Sequence, residues 1–379
     1  MYVETLIYAY LAICMAMILF NCACIFIFRR RDRVLRRHSV RLAEEIDRQI
    51  QLRRGGSPVS GEHLRILRRK LRRVRNLMVL DESLEDLLNR DPDAARAYLA
   101  EIRPVFAWVA AENRYRDPMQ LAYFAYVLCK YRILEGEADP MTAELLMKLL
   151  EEPSLYCREN ALQAIYSTGD CGFVLRALRQ VDERGRFHHS KLLTDGLLAF
   201  AGDRQELARV LWGRFESFSL PMQAVILDYI RFGGIGMSDE LLPLLADEGR
   251  DDELRFSCIR YFGKYPDPRA YPLLLSFLEH PQTHRWEYAA ISATALAAYP
   301  GARTVLALKR AMSSASWYIR FNAAKSLEAF HLTYQDLGDV MDSGDRYARE
   351  ILQYRLDIQQ AQEERRALKK QKEQEAAPV

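Results

Sequence analysis

The chain has 379 residues, half of them hydrophobic, with 54 Lys/Arg against 51 Asp/Glu for a net charge of +3. That length exceeds most single compact domains and calls for a modular or elongated arrangement, while the apolar fraction is enough for a large core. Leu, Ala, Arg and Glu dominate and strand-type alternation is scarce, which predicts an all-α protein. The seven cysteines are odd in number and include no CxxC pair, so a disulfide framework and a zinc site are excluded in favour of reduced packing residues.

The first element is apolar. Leu6–Phe28 (LIYAYLAICMAMILFNCACIFIF) carries no charge. As a helix rising about 1.5 Å per residue it would cross a hydrocarbon core roughly 30 Å thick with some tilt. A cleaved leader would need a basic start and a small-x-small site, whereas this segment begins with Glu4 and ends in arginines. The expectation is a transmembrane anchor over residues 1–28, single-pass in an inner (plasma) membrane of bacterial type, with the N-terminus outside and the bulk of the chain cytoplasmic by the positive-inside rule.

A basic collar follows at 29–80. Residues 29–75 hold 17 Lys/Arg against 5 Asp/Glu, a net of +12, and the rest of the chain is mildly acidic. Arg29, Arg30, Arg31, Arg33, Arg36 and Arg37 come first. Leu35, Leu42, Ile46 and Ile50 then recur at helical spacing, Gly55-Gly56-Ser57-Pro58 marks a turn, and residues 62–80 place Leu64, Leu67, Leu71, Val74 and Met78 on one stripe. This predicts a helical hairpin whose second arm is a single basic amphipathic helix. Arg65, Arg68, Arg69, Arg72 and Arg73 join the first six as candidates for contact with anionic lipid headgroups or an acidic membrane partner. Nucleic acid is disfavoured because the acidic body would repel it.

Residues 81–154 predict helices near 82–90, 92–113, 118–134 and 140–152, forming an N-terminal cap and divergent repeats, with Pro104 a candidate break in the second. Asp91-Pro92, Asp117-Pro118 and Asp139-Pro140 each look like an N-cap followed by proline at the first helical position.

From 155 to 345 the chain repeats itself. RENALQAIYSTGD at 158–170 and KLLTDGLLAFAGD at 191–203 close on Gly-Asp at the same offset, and related blocks start at 222, 255, 287 and 320. Each predicts a helix with small residues on its packing side: Ala161 and Ala164; Gly196 and Ala199; Ala224; Cys258; Ala289, Ala290 and Ala293; Ala323 and Ala324. A Gly- or Pro-rich turn and a second helix follow: FVLRALRQV, ELARVLWGRF, DELLPLLAD, AYPLLLSFLEH, ARTVLALKRAM and YQDLGDVMD. Two helices per period of about 32 residues predict an α-solenoid in which neighbours supply each other's core. PMQLAYFAYVLCKY at 118–131 echoes PMQAVILDYIRFGG at 221–234, so the pattern extends upstream. Residues 346–379 predict a charged capping helix fraying into a tail.

The blocks resemble HEAT repeats of the short phycobilisome-lyase type, in which the first helix reads roughly V-R-x-x-A-x-x-A-L-x-x-x-G-D. Tyr156-Cys157-Arg158 to Asp170 and Tyr318-Ile319-Arg320 to Leu332 match it best, with Arg255 to Asp267 next; the units at 191, 222 and 287 lack the leading Arg. The resemblance covers about 155–342 and implies architecture rather than activity. HEAT-type proteins include bilin lyases and DNA glycosylases, which is the enzymatic alternative.

The sequence carries no nucleotide-binding, zincin or nucleophile-elbow motif. Gly233-Gly234-Ile235-Gly236 reads as a turn, His188-His189 as a solvated link, and Asp251-Asp252-Glu253 as charge at a helix start. His280 and His284 would share a face only if Pro281 did not break their helix. No catalytic residue, metal or cofactor is expected. The second helices offer Arg176, Arg179, Arg209, Trp212, Tyr271, Lys309 and Arg310 as a candidate concave surface for a protein partner. The reading is a non-catalytic, membrane-tethered scaffold or adaptor for a membrane-associated protein, by loose analogy an envelope glycosyltransferase.

Overall fold

The computed structural model describes residues 2–112, 117–136, 138–185, 189–332 and 335–375, with the side chains of 2–12, 27–39, 43, 54, 359–360, 362–363 and 366–375 outside that description. Among the described residues the regular structure is entirely helical. The chain divides into two compact units, one of residues 1–188 with 199–203 and one of residues 189–198 with 204–379.

The first unit contains α1 (Tyr2–Arg54), α2 (Gly61–Lys70), α3 (Val74–Arg90), α4 (Pro92–Glu112), α5 (Pro118–Lys130), α6 (Pro140–Leu149), α7 (Leu155–Tyr166) and α8 (Cys171–Glu183). Each helix packs on the one two places along the chain: α1, α3, α5 and α7 in one row, α2, α4 and α6 in the other. Gln180 of α8 extends that second row by donating to the Met147 carbonyl of α6. The N-terminal aspartates act as the sequence indicates. Asp91, Asp117 and Asp139 accept from the amides of Ala94, Met119 and Thr142 at 3.1, 2.9 and 3.0 Å, each just ahead of a proline. Pro104 lies inside α4, which continues through it.

The second unit contains α9 (Ser190–Leu198), α10 (Arg204–Trp212), α11 (Leu220–Gly233), α12 (Ser238–Ala246), α13 (Asp252–Lys264), α14 (Tyr271–Glu279), α15 (Trp286–Ala295), α16 (Ala302–Ala311), α17 (Trp317–Ala329), α18 (Gly338–Met341) and α19 (Arg346–Glu375). The odd helices from α9 to α19 stack in sequence, and the even helices pack across onto them. Each unit is thus a two-layered stack of helix pairs, the HEAT-like arrangement the repeat implies.

Small residues permit the close approach within a row. Ala161, Ala164, Cys258, Ala289, Ala293, Ala323 and Ala324 are fully buried. Burial pushes the Cys258 thiol up to about 12, the condition of an inert packing group. Two predicted packing positions differ. Ala199 is exposed because α9 ends one residue earlier, and Ala224 is only half-buried.

Polar side chains close the links between pairs. Arg158 donates to the carbonyls of Glu152 and Pro153 at 2.8 and 2.7 Å, Arg255 to that of Leu245 at 3.1 Å, and Arg320 to that of Ser314. The leading Arg of the repeat therefore reaches back to carbonyls in the last turn of the preceding helix or in the link just after it. In the unit at 222 the amide of Gln223 does the same, donating to Phe215 and Phe218 at 3.0 and 3.1 Å. Tyrosines bind the next turn: Tyr261 donates to the Ile235 carbonyl and accepts from the Met237 amide, and Tyr299 donates to Phe262 and accepts from Asp267.

Two further expectations are corrected. The basic arm at 62–80 is two helices, because the chain turns at Leu71–Arg73 and the Asn76 amide holds the Lys70 carbonyl at 2.7 Å. The turn resets the helical phase, so Leu77, Leu80, Leu84 and Leu87 are buried where the single-helix stripe had put Met78, which is exposed. YQDLGDVMD shrinks to the single turn Gly338–Met341, with Tyr334 outside the described residues. Asp251-Asp252-Glu253 stand at the start of α13 as the sequence indicates: Asp251 caps it, accepting from the Glu253 amide at 2.8 Å, and Asp252 in the first turn also accepts from Tyr288 at 2.6 Å and Arg285 at 3.0 Å.

No helix among the described residues is long and apolar enough to cross a membrane. Of the expected anchor Leu6–Phe28, residues 6–12 and 27–28 have side chains outside the description. The part between them exposes Ile13, Met15, Met17, Ile18, Leu19, Phe20, Ile25 and Phe26 by 53 to 69% each.

A buried acid in the first unit goes unsignalled by sequence. Asp81 on α3 accepts from the hydroxyls of Tyr123 and Tyr131, both at 2.6 Å, and from Lys130 at 2.7 Å, and Lys130 also meets Glu85 at 2.9 Å. Burial alone would raise its carboxyl, but the three donors outweigh that and hold it below the usual range.

Two predictions follow from packing and charge. Gly202 and Gly169, the matched glycines of the first two Gly-Asp turns, meet backbone to backbone: a Cβ on Gly202 would lie 2.6 Å from the Gly169 carbonyl oxygen and 2.7 Å from the Phe200 ring. Gly202→Ala should cost about 1–3 kcal/mol in denaturant unfolding. Gly301→Ala, a repeat-turn glycine with open space around it, should stay within roughly 0.5 kcal/mol of the parent. Because the folded carboxyl of Asp81 is depressed, its contribution is complete at neutral pH and fades as pH falls through that lowered value. The stability gap between the parent and Asp81→Asn should be widest near pH 7 and narrow below about pH 4, read by unfolding at a series of pH values; a gap independent of pH would show that the carboxylate charge is not what matters.

Candidate partner-docking surface

Four exposed aromatic groups of the second unit stand at the starts of its odd helices. Trp286 opens α15, Trp317 and Tyr318 open α17, and Tyr347 lies in the first turn of α19. Their exposures are 44, 55, 57 and 68%. The rings hold one another: Trp286 stacks on Tyr318 at 5.2 Å, Trp317 meets Tyr318 edge-on at 5.3 Å, and Trp317 stacks on Phe321 at 4.9 Å. Arg320 sits over Tyr347 at 5.7 Å. The packing that buries Tyr288 and Ile319 a residue or two further along leaves these opening positions exposed. The result is a preorganised, wettable aromatic surface of the composition that anchors protein contacts.

Beside it lies a cleft of about 630 Å³ formed by α14, α15, α16 and α17. Leu278, Ala307 and Ile319 make its apolar floor, and His280, Arg310 and Ser314 stand among its polar lining. An apolar floor with a few polar groups suits an inserted side chain.

The residues expected on a concave face are not all available to a partner. Arg176 and Arg179 are on α8 of the first unit, Arg176 over the Phe173 ring at 5.3 Å and Arg179 paired with Glu183 at 3.2 Å. In the second unit Arg209 is exposed on α10, while Trp212 is stacked on Phe215 at 4.6 Å. Tyr271 shares a hydrogen bond with Thr304 and stacks on Tyr299 at 5.6 Å, and Lys309 is paired with Asp339 at 2.7 Å. Arg310 alone of this set borders the cleft beside the aromatic row. Trp286, Trp317 and Tyr318 escaped sequence reading, although the 32-residue spacing of Trp286 and Tyr318 at equivalent places in the repeat was the signal.

Of the basic collar, Arg29, Arg30, Arg31, Arg33, Arg36 and Arg37 have side chains outside the description. Arg65, Arg68, Arg69 and Arg73 are exposed at α2 and the turn after it. Arg68 and Arg72 lie over the Trp108 ring at 5.8 and 5.0 Å, and Arg72 also pairs with Glu112 at 2.8 Å.

The histidines noted in the sequence take structural places. His280 ends α14, and His284 packs edge-on against Phe277 at 5.2 Å and beside Tyr288 at 5.4 Å. His189 accepts from the Lys191 amide at 3.3 Å, and His188 lies outside the described residues. Gly234, at φ +69°, closes α11 as a left-handed cap, placing the glycine-rich stretch in a turn. Among the described residues no three His, Cys, Asp or Glu side chains assemble as a metal site.

No protein-family model matches the chain, and no curated protein matches it. Among solved structures, human deoxyhypusine hydroxylase in complex with glycerol aligns over 79% of this chain and 96% of that chain, at 15% identity and a TM-score of 0.27. A likeness that low carries no argument about fold or activity; the architecture described above rests on the helix contacts themselves.

Proposed function

We propose that the chain is a non-catalytic HEAT-type scaffold, tethered to a membrane by Leu6–Phe28, which holds a membrane-associated protein on the aromatic surface of its second unit. The observation that carries the reading is the group Trp286, Trp317 and Tyr318, exposed yet ordered by mutual ring contact, with Tyr347 beside them under Arg320. Large aromatics presented to solvent cost solubility unless something covers them, and a rigid ring surface loses little entropy on binding. Supporting the tether are the apolar side chains of residues 13–26 that α1 exposes, and the arginines that follow in sequence. A tether confines the scaffold to the bilayer surface and raises its effective concentration toward partners there. The partner class favoured by this arrangement is a membrane enzyme, an envelope glycosyltransferase being one instance.

Cross-linking of the full chain in native membranes tests the reading. The parent should yield a discrete cross-linked species that Trp317→Ser with Tyr318→Ser abolishes at unchanged helicity and melting temperature. A species retained by the double variant would remove the aromatic surface from the proposal. A chain extracted from membranes by alkaline carbonate would remove the tether.

A further inference from the structure

The turn between α2 and α3 carries Arg68, Arg69, Lys70, Arg72, Arg73 and Arg75, and no acidic residue occurs from 63 to 80. All six are exposed. The contacts of the first unit fix how far this turn stands from the apolar part of α1.

Helix α1 is unbroken from Tyr2 to Arg54. After it the chain reverses. The Ser60 amide donates to Gln49 at 3.0 Å, and three residues later His63 Nδ1 is 3.5 Å from Glu45. Rising numbers in α2 thus meet falling numbers in α1, so α2 runs back toward the apolar end. From His63, Lys70 lies about 10 Å further along, level with residue 38 or so of α1.

The neighbouring helices place the turn independently. Tyr98 of α4 meets His63 Nε2 at 2.6 Å, and Glu112 of α4 meets Arg72 at 2.8 Å, so α4 runs the same way as α2. Glu112 is about 21 Å beyond Tyr98, which brings the end of α4 level with residue 31 or so. Arg90 of α3 meets Asp47 at 3.4 Å, and α3 is joined to α4 as an antiparallel neighbour through Asp91. Val74 is about 24 Å back along α3, again near the level of residue 31. The three paths agree: the cationic turn lies about 5–15 Å along α1 from Phe28, where the apolar run ends. The polar headgroup layer is roughly 5–8 Å deep, and long Arg and Lys side chains bridge such gaps.

We infer that the α2–α3 turn is a binding site for the headgroups of anionic phospholipids, a second attachment that holds the first unit against the bilayer beside its tether. The inference rests on the anchor reading of α1. Six exposed cations in a segment without acids, of which Arg72 is paired with Glu112, suit phosphodiester groups, each of the others adding about 1 kcal/mol near a charged membrane surface, a factor of about five. Trp108 beneath Arg68 and Arg72 stiffens two of the six through cation–π contact. The far end of the same unit also carries cations, but Arg90 and Arg96 there are paired with Asp47 and Asp93 and stand level with residue 47 of α1 or beyond.

The test reconstitutes the full chain into nanodiscs of phosphatidylcholine alone or mixed with phosphatidylglycerol and reads hydrogen exchange over residues 64–76. Exchange should slow by about fivefold or more in the anionic discs, and the difference should vanish at high salt. Arg69→Gln with Arg73→Gln should erase the difference, whereas the charge-matched pair Arg90→Gln with Arg96→Gln should keep it. Melting of each variant is followed alongside, and if the first pair unfolds, the lipid and salt dependence of the parent decides. Stable insertion into both discs with identical exchange overturns the headgroup site and leaves the anchor standing. Release from both discs by alkaline carbonate overturns the anchor and this inference with it. Equal slowing by soluble polyglutamate in neutral discs reassigns the turn to an acidic protein and overturns the lipid site.

Discussion

A helix pair of this size has apolar surface on two sides and only one internal contact to hide it, so each pair depends on the next for its core. Everything else in the two units follows from keeping those neighbours close. Small residues sit where rows touch, and buried Leu, Ile and Phe fill the space between rows. Close stacking also traps backbone groups at the links, where helices end and carbonyls lose their partners. The leading arginines, Gln223 and the tyrosines Tyr261 and Tyr299 serve those groups, and without them the links would hold unpaired polar atoms away from water. The repeat is therefore conserved within the chain at two kinds of position, one for packing and one for polar closure.

The same stacking explains where the proposed docking surface lies. Burial lapses at the first one or two positions of α15, α17 and α19. Positions there are released from packing demands, and in α15, α17 and α19 they carry Trp and Tyr. A solvated position would be served by Ser, Glu or Lys at less cost in solubility, which is why these rings support the proposed docking surface.

The first unit uses polar groups differently. Asp81 with Tyr123, Lys130 and Tyr131, and His63 with Tyr98 and Glu45, tie α3 to α5 and α2 to α4 and α1. Burial pushes His63 below its ordinary value, so its ring is neutral at physiological pH and spends its Nε2 on Tyr98. These clusters define register between helices whose apolar faces alone would tolerate sliding, and that register brings the turn after α2 back beside the upper part of α1.

The helical class, the 32-residue period, the first and second helices of the repeats up to the last, and the aspartate caps were legible in the chain. They depend on local signals: 3.6-residue periodicity, turn residues, and a side chain capping an amide two or three residues away. The apolar and basic segments were legible for the same reason. What neighbours do was not. Gly202 and Gly301 look alike as turn glycines, yet one faces the Gly169 backbone and the other open space, and only tertiary contact distinguishes them. The break at Leu71–Arg73 shifted the buried stripe from Met78 to Leu77, because a one-residue change of phase turns a different face to the core. Arginines at 158, 255 and 320 were visible as a motif, but their carbonyl partners, and Gln223 as their substitute, appear only once helices meet. The sequence alone determined which stretches coil and how often; the tertiary structure decided which side chains face one another, since distances between residues 30 or 40 apart are set by packing and not by the local chain.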